Sequence, residues 1–192
     1  NKNDTVAITG DSGSGKTTLI NIIIGFINPT KGSIEVDNKN IQENISGWQS
    51  NISYVPQEVY LLDETLKSNI VFGTPEDKID YEFLKKIIRD TRLEDFVNSL
   101  PKGIDTNVGY FGSKISGGQK QRIGIARALY TKPEILVLDE ATNALDLENE
   151  NKILDMLLNS SLIKTIIMVT HRQDNLYRFE KVYKFKNKIL ID

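Results

Sequence analysis

The sequence contains no cysteine, no excess of basic residues and no long apolar run. Without cysteine the chain cannot form disulfide bonds, thiolate zinc sites or a cysteine nucleophile, and it suits a reducing compartment such as the cytoplasm. Its 24 lysines and arginines are balanced by 26 acidic residues, so charge alone does not predict binding to nucleic acid or anionic lipid. Apolar runs such as residues 135–138 are far shorter than the ~20 residues needed to cross a bilayer.

The composition that remains is typical of one soluble globular domain, with 39% hydrophobic and 26% charged residues. The chain starts at Asn1 without an initiator methionine or a signal-peptide pattern, so we expect it to be part of a longer protein. Hydrophobic periodicity predicts a mainly helical stretch at about 63–130 and a helix at 148–158. Strands are predicted at 5–9, 33–37, 51–55, 135–138 and 165–170, with a closing hairpin near Asn187.

Residues 10–17 fit the pattern G-x-x-x-x-G-K-[ST] between a predicted strand and a predicted helix. Glycines allow successive backbone N–H groups to turn towards an anion, and the helix N-terminus adds a favourable dipole. Lys16 supplies a cation for the β- and γ-phosphates, and Thr17 is placed to bind Mg²⁺. The alternative is a glycine-rich turn without a ligand. The candidate phosphate loop is Gly10, Asp11, Ser12, Gly13, Ser14, Gly15, Lys16 and Thr17.

Two acids, Asp139 and Glu140, follow an uninterrupted apolar run that is typical of a central parallel strand buried on both faces. Open α/β sheets bind ligands at the C-terminal ends of their strands. We therefore expect Asp139 beside the metal and Glu140 where it can take a proton from an attacking water. Such a pair is often no more than the exit of a strand, but the phosphate loop favours the functional interpretation.

Residues 116–119, Ser-Gly-Gly-Gln, open a second predicted helix and match the capping box S-x-x-Q. One interpretation is an ordinary helix start. However, two glycines beside a capped helix N-terminus also form a second place where backbone N–H groups can bind phosphate. One nucleotide does not obviously need two such sites, so this one is predicted to serve the nucleotide of another subunit.

Together these motifs resemble those of the ATP-binding-cassette (ABC) ATPases over nearly the whole chain. Residues 10–17 look like the family's Walker A motif and residues 135–140 like its Walker B motif, while residues 115–119, Ile-Ser-Gly-Gly-Gln, look like the signature usually written L-S-G-G-Q. The remaining matches, in the family's order, are the Q-loop glutamine Gln57, the D-loop aspartate Asp146 and the switch histidine His171.

The resemblance implies an α/β fold, a P-loop NTPase core with a mainly parallel sheet and an inserted helical subdomain. The single domain would span residues 1–192, with the core at 1–57 and 131–192 and the helical subdomain at about 58–130. Its N-terminal β-subdomain would be truncated, and the aromatic residue that stacks on adenine would lie upstream of the chain. The family further implies a head-to-tail dimer in which each ATP lies between one subunit's Walker A motif and its partner's signature.

The resemblance also implies a role for each matched residue. Lys16, Thr17 and Thr18 would hold phosphates. The Mg²⁺ ligands would be Thr17, Gln57 and, through water, Asp139. Glu140 would be the general base and His171 would contact the γ-phosphate, with Gln57 as the third catalytic residue. The partner's ATP would meet Ser116, Gly117, Gly118 and Gln119, and Asp146 would couple the two sites.

Within the family, residues 61–70 and 100–106 look like the exporter-type cassette, which is commonly fused to a membrane domain. The implied function is Mg²⁺-dependent hydrolysis of ATP that powers transport, at the cytoplasmic face of the inner membrane, without a nucleic-acid partner. Three residues depart from the pattern: Ile115 replaces the signature leucine, Tyr110 stands where exporters usually have an acid, and Asn143 stands where serine is frequent. The alternatives are an importer-type ATPase subunit and a non-transport cassette protein acting on DNA or ribosomes.

Overall fold

The computed structural model describes residues 3–109, 115–186 and 189–191. The chain divides into two compact units. The first comprises Asn1–Tyr54, Pro133–Glu140 and Ser161–Asp192, and the second comprises Val55–Lys132 and Ala141–Ser160. Residues 141–160 thus belong to the second unit, together with the helices between residues 55 and 132.

The first unit is built on a six-stranded sheet. Its strands are β1 (Thr5–Thr9), β4 (Ile52–Val55), β5 (Ile135–Asp139), β6 (Thr165–Val169), β7 (Lys181–Lys186) and β8 (Ile189–Ile191). They lie in the order β4-β5-β6-β1-β7-β8. The pairs β5–β6, β6–β1 and β1–β7 are parallel, and β7–β8 is antiparallel. These pairings confirm the predicted α/β fold with a mainly parallel sheet.

The register of the central strands determines where their C-terminal ends lie. Val169 of β6 pairs with both Ile8 of β1 and Asp139 of β5. Strands that are parallel and in this register end at the same edge of the sheet, so the residues that follow them lie close together. The phosphate loop follows β1, Glu140 follows β5 and His171 lies just beyond β6.

The core of the first unit explains why the apolar run of β5 is uninterrupted. Val137 is fully buried in a cluster with Ile8, Val169 and Phe185. Helix α1 (Lys16–Ile23) contributes Ile20 to the same cluster. Because α1 packs on the sheet through this apolar face, its N-terminus is fixed at the end of β1.

A short hairpin differs from the sequence-based expectation. Alternation predicts a half-buried strand over residues 33–37, but the structure has only β2 (Glu35–Val36), exposed at both residues, paired with β3 (Lys39–Asn40). Asp37 and Asn38 adopt positive φ angles of 51° and 62°. A two-residue turn of this kind ends the strand early, since both central positions must be left-handed. Helix α2 (Ile45–Gln49) follows.

The second unit is helical, with its helices in positions predicted from periodicity. They are α3 (Leu66–Ile70), α4 (Tyr81–Asp90), α5 (Glu94–Ser99), α6 (Gly117–Tyr130) and α7 (Leu147–Leu158). Four of these helices begin at a residue whose side chain accepts a hydrogen bond from the helix's own backbone. These capping residues are Thr65, Asp80, Ser116 and Asp146.

Tyr110 and the predicted turn near Asn187 lie outside the described residues. Over the part of the chain that the structure describes, none of the helices combines the length and the apolar character needed to span a bilayer.

Candidate functional site

The loop between β1 and α1 approaches β7 so closely that its first position accepts only glycine. A Cβ atom on Gly10 would lie 2.3 Å from the carbonyl oxygen of Phe185. Gly15 precedes α1 with a φ of 105°, a conformation that favours glycine. The helix then starts without a side-chain cap. Its first N–H groups are therefore available to an anion, as predicted for a phosphate loop.

Lys16 lies inside this loop rather than in solvent. Its side chain is buried, and its Nζ atom donates hydrogen bonds to the carbonyl oxygens of Gly10 (3.0 Å) and Asp11 (2.9 Å). The Ser14 hydroxyl is also buried and has no hydrogen-bond partner. A buried cation and an unpaired hydroxyl donor in one loop suit an anionic ligand. Asp11, Ser12, Gly13, Thr17 and Thr18 are exposed.

Asp139 ends β5 as a buried carboxylate, only 2% exposed. Its Oδ2 atom accepts a hydrogen bond of 3.2 Å from the hydroxyl of Tyr54 on β4, whereas its Oδ1 atom is buried without a partner. Burial, and then the charge of Asp139, raises the pKa of Tyr54 to about 12. The Tyr54 hydroxyl therefore remains a proton donor at neutral pH. Sequence analysis missed Tyr54, because a tyrosine in a strand belongs to no distinctive motif. Its contact with Asp139 can be recognised only when β4 and β5 are known to be neighbours.

Glu140 and His171 are in direct contact. The Oε1 atom of Glu140 lies 2.5 Å from the Nε2 atom of His171. Glu140 has a positive φ of 52°, which is uncommon for a residue other than glycine, and its backbone N–H donates to the carbonyl oxygen of Val169 at 3.0 Å. The carboxylate is 13% exposed and the imidazole 39% exposed. Both side chains are thus accessible to small molecules.

The phosphate loop and this acid–histidine pair share one cavity of about 800 Å³. Gly10, Asp11 and Ser12 line it together with Glu140 and His171. All of these residues belong to the first unit. A cavity that combines anion-binding backbone groups with a carboxylate and an imidazole can bind a phosphate ester and activate water beside it.

The predicted Mg²⁺ ligands divide between the two units. Thr17 and Asp139 lie in the first unit, and the exposed Gln57, which follows β4, lies in the second. Hydroxyl, amide and carboxylate oxygens are donors that Mg²⁺ accepts alongside phosphate oxygens. The buried, unpartnered Oδ1 atom of Asp139 fits such an ion, because a cation or its bound water would supply the missing partner.

The second unit contains the signature residues at the start of α6. The Ser116 hydroxyl accepts from the Gln119 backbone N–H at 3.3 Å, and the Gln119 side chain accepts from the Ser116 backbone N–H at 2.9 Å. The predicted capping box is therefore present. A Cβ atom on Gly118 would lie 3.0 Å from the carbonyl oxygen of Ala144, so the glycine permits a close approach of that segment.

Ser116, Gly117, Gly118 and Asp146 line a second cavity, of about 340 Å³. Asp146 caps α7, and its hydrogen bonds with Asn149 lower the pKa of its carboxyl. The signature and the D-loop aspartate thus form one surface within the second unit.

Comparison with known proteins places this geometry in a family. A family model described as ABC transporter matches residues 1–143. The ABC multidrug transporter atrD of Emericella nidulans is 43% identical over 188 residues, which cover 97% of this chain and 14% of the relative. The ATP-dependent lipid A-core flippase of Cupriavidus metallidurans is 38% identical over 181 residues, 93% of this chain and 30% of the relative.

The fold of the chain also matches that of a solved ABC exporter. The chain matches a bacterial Atm1-family ABC exporter with ATP bound, with a TM-score of 0.93 and 32% sequence identity, over 100% of this chain and 34% of that one. The chain therefore spans about a third or less of the length of these proteins.

Proposed function

Because the chain belongs to the ABC transporter family, we propose that it is the part of an exporter that binds and hydrolyses ATP. The observation that carries this proposal is the cavity shared by the phosphate loop, Glu140 and His171. Hydrolysis of a phosphoanhydride needs a phosphate-binding loop and a base for water at one place. The names of the relatives, a multidrug transporter and a flippase, support export over the importer-type and non-transport alternatives.

In this proposal the phosphates of ATP bind to the loop and to the N-terminus of α1. Lys16 neutralises charge on the β- and γ-phosphates, and Thr17 and Thr18 hold phosphate oxygens. The buried Ser14 hydroxyl is one further donor inside the loop. Positioning and neutralisation of charge supply most of the catalysis in phosphoryl transfer, so a preformed loop contributes directly to the rate.

Mg²⁺ is the expected cofactor, held by Thr17, Gln57 and, through water, Asp139. When bound, it would neutralise charge that develops on the phosphate oxygens. The chain's contribution is to present oxygen atoms to the ion. Asp139 suits this role, since one of its oxygens is already hydrogen-bonded and the other is not.

Glu140 acts as the general base in the proposed reaction. The water oxygen forms a bond to the γ-phosphorus while the bond from that phosphorus to the β–γ bridging oxygen breaks, and the water proton passes to the Glu140 carboxylate. The products are ADP and phosphate. His171 holds the Glu140 carboxylate through their 2.5 Å contact, and it would contact the γ-phosphate of the bound ATP.

We propose further that two copies of this domain, or this domain and a homologous one, form a head-to-tail dimer. Ser116, Gly117, Gly118 and Gln119 would meet the ATP of the partner, and Asp146 would couple the two sites. A transmembrane domain, fused in the parent chain, would bind the dimer at the cytoplasmic face of the membrane. No nucleic-acid partner is proposed.

Two measurements test this function. The chain should bind MgATP in a calorimetric titration and release phosphate from it, and a folded chain that binds no ATP would overturn the assignment. Export is tested with the full parent protein in inside-out membrane vesicles. ATP-dependent uptake of a transported compound should be present in the wild type and absent in Glu140→Gln. Uptake that survives this substitution would separate transport from the proposed hydrolysis.

A further inference from the structure

Tyr54 is fixed at both ends of its side chain. The ring packs edge-on against Phe26, with the ring centroids 6.2 Å apart and an interplanar angle of 89°. The hydroxyl donates a 3.2 Å hydrogen bond to the Oδ2 atom of Asp139. An aromatic contact of this geometry restricts the ring, so the hydroxyl is presented to the carboxylate in one position.

The two oxygens of Asp139 differ because of this bond. The carboxylate is 2% exposed, and its Oδ1 atom is buried without a hydrogen-bond partner. Burying a carboxylate oxygen without a partner costs free energy unless a hydrogen-bond donor or a cation interacts with it. The Tyr54 hydrogen bond restrains the plane of the carboxylate, because rotation about the Cβ–Cγ bond of Asp139 would break it. Oδ1 is therefore the oxygen left for a ligand.

We propose that Tyr54 is a positioning residue for the magnesium site. Its hydroxyl holds Asp139 so that Oδ1 faces the ion or its bound water. The proposal rests on the ATP-dependent function proposed above. Outer partners that orient metal-binding side chains commonly change metal affinity or activity 10–100-fold when they are removed. Tyr54 acts on the ion only through Asp139, so its effect on metal affinity can be measured separately from ATP affinity.

The test uses Tyr54→Phe, which removes the hydroxyl and keeps the ring against Phe26. Tyr177→Phe is the matched control, because Tyr177 is 85% exposed in the same unit and lies outside the proposed machinery. Mn²⁺ serves as the probe, and its binding to the ATP-loaded protein is followed by electron paramagnetic resonance. ATP affinity is measured separately in EDTA.

We expect Tyr54→Phe to weaken Mn²⁺ binding about 10-fold, with unchanged ATP affinity in EDTA. Tyr177→Phe should match the wild type in both measurements. Equal Mn²⁺ affinities for Tyr54→Phe and the wild type would overturn this inference and leave the proposed function standing. A wild-type chain that binds no ATP in either condition would instead overturn the proposed function, and this inference with it.

A double variant separates positioning from general stability. If Tyr54 acts through Asp139, adding Tyr54→Phe to Asp139→Asn should cause no further loss of Mn²⁺ affinity. A second loss as large as that in the wild-type background would show an independent effect and would refute the positioning role. Thermal unfolding of each variant checks the fold. If Tyr54→Phe lowers the melting temperature but not the Mn²⁺ affinity, the hydroxyl is structural only.

Discussion

Lys16 carries the positive charge of the phosphate loop, and Lys16→Ala tests phosphate binding separately from chemistry. A charge-assisted contact to phosphate is worth about 1.5–3 kcal/mol, so the affinity for MgATP should fall roughly 10- to 150-fold. Calorimetric titration measures the loss. Lys31→Ala, at an exposed loop position, is the control and should bind like the wild type. An unchanged affinity in Lys16→Ala would contradict the assignment of the loop.

Glu140→Gln tests the chemical step. The amide keeps the shape of the side chain but cannot accept the proton of water, so ATP binding should persist while hydrolysis slows about 10²- to 10⁴-fold. Single-turnover assays report the hydrolytic step directly. Glu43→Gln, an exposed position, should hydrolyse ATP at the wild-type rate. If Glu140→Gln hydrolyses ATP almost as fast as the wild type, another base must act, and His171 would be tested next.

At the scale of elements, α3 and α6 of the second unit are joined by one buried amide. Asn69 is fully buried, and its side chain accepts from the Leu62 backbone N–H at 2.9 Å and donates to the carbonyl oxygens of Leu62 and Thr65. The Oδ1 atom of Asn69 also accepts from Nη2 of Arg127, on α6, at 3.1 Å, and the backbone oxygen of Asn69 accepts from Nε of Arg127 at 2.8 Å. The segment before α3 is therefore tied to the helix that begins with the signature.

Asn69→Ala should destabilise the protein by about 1–3 kcal/mol, because it removes the side-chain hydrogen bonds to the backbone of Leu62 and Thr65 and leaves a space in a fully buried position. Urea unfolding followed by circular dichroism measures the change in the free energy of unfolding. Asn98→Ala, the same substitution at an exposed position of α5, should stay within about 0.5 kcal/mol of the wild type. Equal unfolding midpoints for Asn69→Ala and the wild type would show that the buried amide does not stabilise this unit.

For the whole molecule, the proposed dimer predicts that specific activity depends on protein concentration. The glycine-containing start of α6 is the proposed second phosphate contact, in addition to the phosphate loop, and a dimer would bring it to the ATP of the partner. Without a membrane domain to hold two copies together, the dimer should be sparsely populated when dilute. Phosphate release per molecule should therefore rise with concentration and then level off. A flat dilution series would argue against the dimer.

Mixing two inactive variants gives a sharper test of the same dimer. Lys16→Ala damages one chain's phosphate loop, and Ser116→Arg damages the other chain's signature. Their mixed dimer contains one wholly wild-type composite site and one doubly damaged site, so some hydrolysis should return if one intact site can turn over. If each variant is folded and inactive, the mixture stays inactive and the dilution series of the wild type is flat, the shared site would have to be abandoned.

Several features could be predicted from sequence because their chemistry is local. The glycines and Lys16 of the phosphate loop, and the reciprocal bonds of Ser116 with Gln119, depend on residues a few positions apart. The β2–β3 hairpin shows the limit of this reasoning, since alternation over residues 33–37 predicted a strand that the left-handed turn at Asp37 ends early. Turn geometry there outweighed periodicity.

Local patterns in the sequence were enough to predict the family, the α/β class and the residues that follow the buried strands. Which of these residues come into contact depends on the arrangement of the strands in the sheet. The contact of Glu140 with His171 and the hydrogen bond of Tyr54 to Asp139 each join residues far apart in the chain. Both depend on which strands are neighbours and on their register, and long-range packing of the whole sheet fixes these properties.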